Sequence, residues 1–310
     1  MPAHADLQRR PSEPAEAAGA GAVVTTADGV TLKLRLLGGP ASSPANSPAP
    51  DLLICHATGF HGLAYTPLAH CFTRDFRVWA LDFRGHGGSG ESPDGTYSWH
   101  GMGADVTACA VAIGSSQLYG FGHSMGGAAL LLAEQAAPGA FDGLFMYEPI
   151  VLPEEAAATP DNNPLAAGAR NRREVFNSRA EALARYSSRP PLGVLRSDAL
   201  AAYVEAGFVD LPDGRVRLAC PAETEARTFE ASDTLSPREI TQIDVATVVA
   251  AGTAGSDTTD PADFAPAVAE ALPKGRFVSF EGLGHFGPLE APAVVARRAI
   301  RELLGDSSVS

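Results

Sequence analysis

Apolar residues in this chain come mostly in short strand-like runs rather than helical stripes. Residues 23–26 and 31–36 flank Asp28-Gly29, and a DG turn between two β-type segments predicts a hairpin. From residue 52 onward, runs at 52–55, 76–81, 117–121, 144–147, 245–251 and 276–280 alternate with helical segments. Short, nearly continuous apolar runs are what a parallel sheet buried on both faces requires. The pattern predicts an α/β class: a mostly parallel central sheet flanked by helices, with an antiparallel hairpin at its entrance.

The alternation breaks between about 150 and 241, where Arg, Ala and Glu increase and helical segments at 179–186 and 198–206 follow one another without clear strands. This predicts a helical insertion over 151–240 within a core made of 22–150 and 241–305. Residues 1–21 are rich in Ala, Pro and Glu with few large apolar side chains. Such a segment does not offset the entropy of ordering it, and a disordered tail is expected. A Ser/Pro loop covers 41–50, and no fixed-period repeat points to a solenoid or propeller.

Composition narrows the partners. With 310 residues and 45% hydrophobic content the chain can bury a substantial core. A formal net charge of -13 gives an exterior that repels phosphate backbones and anionic bilayers. Neither nucleic acid nor membrane is an expected partner; a small-molecule substrate is. The four cysteines (Cys55, Cys71, Cys109, Cys220) form no CxxC pair, and no secretory or membrane-spanning run stands out. A reduced, cytoplasmic setting is expected. The eight histidines include no HExxH or HxH, so no metal and no cofactor are expected.

Gly122-His123-Ser124-Met125-Gly126 fits G-x-S-x-G, the sharp strand-to-helix turn that holds a serine hydroxyl clear of the backbone. Alone it is weak, since a chain this rich in glycine shows the pattern by chance roughly 0.2 times. Its setting strengthens it: the β-like run 117–121 precedes it and the helix-forming run 127–134 follows. The same residues also contain Gly120-x-Gly122, as in a dinucleotide-binding turn. That reading fails on spacing, because Met125 stands where the third glycine belongs, and on position, because at least two strand and helix pairs come earlier.

A serine needs a base, and histidine suits that work at neutral pH. His285 lies in Gly284-His285-Phe286-Gly287, a short loop after the last strand-like run and before a helix expected from 290 to 304. Loops beyond parallel strands carry catalytic groups in this architecture. His4 lies in the tail, and His61, His70 and His100 sit near helix ends, where solvated or capping roles are expected. His123, in the elbow beside the nucleophile, is expected to be packed rather than reactive.

Four ordered segments now come together: Cys55-His56-Ala57-Thr58-Gly59-Phe60, Asp82-Phe83-Arg84-Gly85-His86-Gly87-Gly88-Ser89, Gly122-His123-Ser124-Met125-Gly126-Gly127 and Gly284-His285-Phe286. Together they resemble the α/β-hydrolase superfamily over about residues 22 to 305. The resemblance implies an α/β-hydrolase fold with the insertion as a helical cap. It implies Ser124 as nucleophile and His285 as base, with the backbone N–H groups of Thr58 and Met125 as oxyanion donors. Ala57 departs from the glycine many relatives carry there. Phe60, Phe176 and Phe286, with Met125, are candidates for the pocket wall.

Two carboxylates compete for the acid that orients His285. Asp257 follows the strand-like run 245–251, the commoner place in the superfamily, but sits in a Gly/Ser/Thr-rich loop with a second carboxylate at Asp260. Glu148 ends the run 144–147 and is followed by Pro149, as in some members of the superfamily. A glutamate at the end of an apolar strand is costly to bury without a partner, which places Glu148 first. The reading that follows is a serine hydrolase cleaving a carboxylic ester or related acyl substrate through an acyl-enzyme. The alternatives are a carbon-carbon bond hydrolase of the same fold and a non-catalytic small-molecule-binding protein on this scaffold.

Overall fold

The computed structural model describes residues 21–40, 48–153, 163–231, 233, 235–254 and 261–305. The tail expected over 1–21 lies outside them except for Gly21, which opens the first strand. Strands β1 (Gly21–Thr25) and β2 (Thr31–Gly38) form the hairpin around Asp28-Gly29, with Gly29 at φ +89°. β3 (Asp51–Cys55), β4 (Arg77–Asp82), β5 (Leu118–His123) and β6 (Gly143–Tyr147) build the parallel centre.

β3 shows why an unbroken apolar run is needed here. Leu53 and Cys55 enter the core on one face of the sheet, with the helices Trp99–Ile113 and Met125–Ala136. Leu52 and Ile54 enter the core on the other, with the helices Thr66–Phe72 and Pro292–Leu304. All four side chains are completely buried. Each of the three aliphatic side chains, Leu52, Leu53 and Ile54, contributes roughly 1.5–3 kcal/mol of transfer free energy relative to exposure.

After β6 the chain leaves the sheet and builds the insertion from helices Pro164–Arg170, Arg179–Ser187, Ser197–Ala206 and Ala222–Glu230. The insertion is not purely helical as expected. β7 (Val175–Phe176), β8 (Phe208–Asp210) and β9 (Val216–Leu218) form a small antiparallel sheet in the order β7-β9-β8. Strands of two or three residues are too short to show a period of two, so apolar patterning does not reveal them.

The chain returns through β10 (Thr247–Gly252) and β11 (Gly275–Phe280), completing an eight-stranded sheet in the order β1-β2-β4-β3-β5-β6-β10-β11. The helix expected from 290 is in fact two, Gly287–Glu290 and Pro292–Leu304, broken at Ala291. Pro292 supplies no N–H and forces the preceding residue out of helical geometry. Among the described residues no helix is long and apolar enough to cross a membrane. From β3 the sheet grows to β4 on one side and to β5 on the other, and such a switch point opens a crevice at the carboxyl ends of the strands.

Candidate active site

Four loops meet at that crevice, after β3, β5, β6 and β11. Ser124 stands between β5 and the helix Met125–Ala136 with φ 56° and ψ -120°, a conformation that costs a non-glycine residue about 1–3 kcal/mol. Its N–H donates to Tyr147 O at 3.0 Å and its C=O accepts from Gly127 N at 3.0 Å. The turn is possible because its neighbours lack side chains. A Cβ on Gly126 would lie 2.1 Å from Cys55 O, and one on Gly122 would lie 2.6 Å from Gly127 Cα. The helix start directs its positive end at the serine.

His123 pairs in register with Tyr147, which brings Glu148 level with Ser124 on the neighbouring strand. Glu148 also has positive φ, 46°, and is 1% exposed. Its Oε1 accepts from Gly252 N at 2.8 Å, and its Oε2 lies 2.6 Å from His285 Nδ1. The partner that a buried carboxylate requires is therefore His285, and Nδ1–H is the donor. That tautomer leaves Nε2 able to accept a proton. Asp257 and Asp260, the competing carboxylates, lie outside the described residues.

The His285 loop is held from three sides. Tyr147 Oη donates to Gly284 O at 2.9 Å, Gly284 N donates to Glu290 Oε2 at 3.4 Å, and His123 Nε2 lies 2.8 Å from His285 O. The His123 and His285 rings are 4.9 Å apart between centroids. Burial, then the nearby Glu148 charge, raises the Glu290 carboxyl above its ordinary range against the opposing Gly284 hydrogen bond. Sequence reasoning did not single out Glu290.

Thr58 and Met125, the expected oxyanion donors, are brought together: Thr58 Oγ1 contacts Met125 Sδ at 3.3 Å. As the first residue of its helix, Met125 has no intrahelical acceptor for its N–H. The Thr58 turn is closed by Phe60 N donating to Ala57 O at 3.1 Å, with Gly59 at φ +77°. Phe60 and Phe286 meet at 5.6 Å between ring centroids, and Tyr203 of the insertion packs on Phe60 at 5.0 Å.

Phe176 does not join this wall. It belongs to β7 and is 0% exposed, covered by Phe208, Tyr186 and the Arg173 guanidinium. Its ring is packed into the core on the Leu52 and Ile54 face of the central sheet and has no exposed surface left for a ligand. His61 also departs from the solvated or capping role expected of it. It is buried, Nε2 contacts Tyr203 O at 3.0 Å, and the ring stacks on Tyr203. Exclusion from water lowers its pKa.

His86 and Asp82 fasten their loop. Asp82 accepts from Gly62 N and Gly88 N at 2.8 and 2.9 Å, and His86 Nδ1 contacts Arg84 O at 2.9 Å. Behind them His56 Nε2 accepts from Phe83 N at 3.0 Å, and burial pushes its pKa down to about 3. Arg172, paired with Glu225 and donating to Tyr203 Oη at 2.8 Å, lies against Gly59. Its place was not legible, because those partners are 31 and 53 residues away.

Comparison with known proteins follows the same lines. The model of the alpha/beta hydrolase family matches residues 52–298. An N-formylmaleamate deformylase of Pseudomonas putida is 37% identical over 90 residues, 29% of this chain and 33% of that protein. A monoglyceride lipase of Homo sapiens is 30% identical over 121 residues, 37% of this chain and 40% of that protein. The alignments thus span only a third to two fifths of the length of these curated relatives. The crystal structure of E-2-(acetamidomethylene)succinate hydrolase superposes with TM-score 0.75 at 18% identity, covering 92% of this chain and 99% of that one. At that identity the likeness is one of fold.

Proposed function

The chain belongs to the alpha/beta hydrolase family, and from that premise we propose that it is an esterase-like hydrolase that cleaves a carboxylic ester or related acyl substrate through an acyl-enzyme on Ser124. The observation that carries this reading is the buried Glu148 carboxylate 2.6 Å from His285 Nδ1, on the strand beside a serine held at φ 56°. A carboxylate placed there keeps the proton on Nδ1 and the lone pair on Nε2. Nothing in a purely ligand-binding crevice calls for that arrangement.

In the proposed reaction His285 Nε2 takes the Ser124 Oγ proton as Oγ attacks the acyl carbonyl. The N–H groups of Thr58 and Met125 receive the negative oxygen, each donor typically lowering the barrier by about 3 kcal/mol. The intermediate collapses, the leaving group departs with the proton from Nε2, and the acyl group stays on Ser124. Water then attacks the ester carbon while Nε2 removes its proton; Oγ leaves as the hydroxyl and the carboxylic acid is released. Glu148 stabilises the imidazolium in both halves.

The residues 151–240 form the cap in this proposal, because Tyr203 places an insertion side chain on Phe60 beside the crevice. The named relatives act on a monoglyceride and on N-formylmaleamate, which is why the substrate is assigned to the acyl class and no further. The test is turnover of p-nitrophenyl esters of increasing chain length by the native chain and by Ser124→Ala. The proposal expects turnover on at least one ester and its loss in a variant that melts like the native protein. Equal turnover by both would reject Ser124 as nucleophile.

A further inference from the structure

Outside the residues given chemical roles, two wholly buried polar side chains, Tyr65 and His123, form a hydrogen-bonded chain. Ala57 N lies 3.2 Å from Tyr65 Oη, Tyr65 Oη lies 2.6 Å from His123 Nδ1, and His123 Nε2 lies 2.8 Å from His285 O. The chemistry of the ends fixes every proton. A peptide carbonyl only accepts, so His123 Nε2 carries hydrogen; in the neutral ring Nδ1 then accepts, and the Tyr65 hydroxyl must donate to it. The hydroxyl oxygen is left to accept from the Ala57 amide.

We propose that Tyr65 and His123 are positioning residues that tie the oxyanion turn at Ala57-Thr58 to the loop of His285, so that the oxyanion donor and the base are set relative to Ser124 as one unit. The proposal rests on the acyl-enzyme reading above. The two backbones it joins come from opposite ends of the chain, after β3 and after β11, and the ring that joins them belongs to the residue before Ser124. Only a neutral ring fits the chain. Burial, with the neighbouring His285 acting in the same direction, keeps the His123 pKa far below its ordinary value. Tyr147, whose hydroxyl holds Gly284 O at 2.9 Å, fixes the adjacent residue of the same loop.

A tie of this kind acts on the transition state more than on substrate binding, because the tetrahedral oxygen senses the donor and the base together. The variant to make is Tyr65→Phe, which removes one oxygen and keeps the ring that fills the core. Active sites are counted with a fluorophosphonate, then kcat per site, KM and the inhibition constant of a boronic acid that mimics the tetrahedral intermediate are measured. The expected result is a fall in kcat per site of about tenfold or more and a rise in the boronate constant by a similar factor. KM should change less than about twofold.

His123→Leu should reproduce this pattern, and His123→Gln, which keeps one acceptor and one donor, should recover part of the loss. A structural role alone would lower the number of titratable sites and leave kcat per site and boronate affinity untouched in Tyr65→Phe; that result overturns the proposal. Activity surviving in Ser124→Ala would instead remove the reading on which the tie rests, so the two failures are distinguishable.

Discussion

Glu148→Gln keeps the size of a fully buried side chain and changes only its charge and the polarity of one hydrogen bond. The new amide still offers its oxygen to Gly252 N, which donates to Glu148 Oε1 at 2.8 Å. Its NH2 group then faces His285 Nδ1, where the carboxylate oxygen stood at 2.6 Å. Two donors cannot share that contact, so the imidazole proton moves to Nε2, and the base presents a hydrogen to Ser124 instead of a lone pair. The imidazolium formed during attack also loses its counter-charge. For unit charges about 4 Å apart at an effective dielectric near 20, that attraction is about 4 kcal/mol.

Four kcal/mol corresponds to about a thousandfold in rate, and the wrong tautomer deepens the loss, so kcat should fall by about 10³–10⁴. The assay is steady-state hydrolysis of an activated ester, with thermal melting to show that the variant is folded. Turnover within tenfold of the native value would refute the reasoning. So would an Asp257→Asn variant that loses more than Glu148→Gln.

Gly126→Ala places a methyl carbon where a Cβ would lie 2.1 Å from Cys55 O; it should destabilise the fold by about 1–3 kcal/mol or more, and an unchanged denaturant midpoint would count against the elbow packing described. Phe176→Ala should cost about 3–5 kcal/mol of stability while leaving KM per folded molecule unchanged, whereas Phe60→Ala should alter KM; equal effects of the two on KM would place Phe176 at the substrate after all. Four histidines, His56, His61, His86 and His123, are held neutral by burial, with folded pKa values below the ordinary one. Below about pH 6.5 the unfolded chain takes up protons that the folded chain does not, so the stability these groups contribute is complete above that pH and lost as pH falls. For His56, whose folded pKa is about 3, the loss by pH 5.5 is about 1.4 kcal/mol, and the other three act in the same direction. A melting temperature that stays flat from pH 7 to 5.5 would contradict this.

Much of the sheet is legible in sequence because each strand must be apolar on both faces: the run at 52–55 supplies both cores at once. Ser124 is legible because its backbone conformation demands small neighbours, which appear as glycines. Glu148 is legible because an acid between an apolar strand and a proline needs a partner. What escapes is either too short or too distant. The β8–β9 hairpin turns at Asp213-Gly214, with Gly214 at φ +84°, the same signal that reveals the Asp28-Gly29 turn, but its strands of three residues carry no pattern. Tyr65 reaches His123 across 58 residues of sequence, a contact that only the folded sheet creates. Phe176 looks like any exposed-pocket aromatic until the small sheet covers it.

The acyl-enzyme itself is the most direct test. The native chain is mixed with a large excess of p-nitrophenyl acetate, quenched in acid before steady state, digested and analysed by mass spectrometry. The account predicts one acetyl group per molecule on the peptide containing Ser124, none on that peptide in Ser124→Ala, and greatly slowed formation of the adduct in His285→Ala. Turnover of the ester with no acetyl on Ser124 at any quench time, or with the adduct on another residue at equal rate in Ser124→Ala, would contradict it.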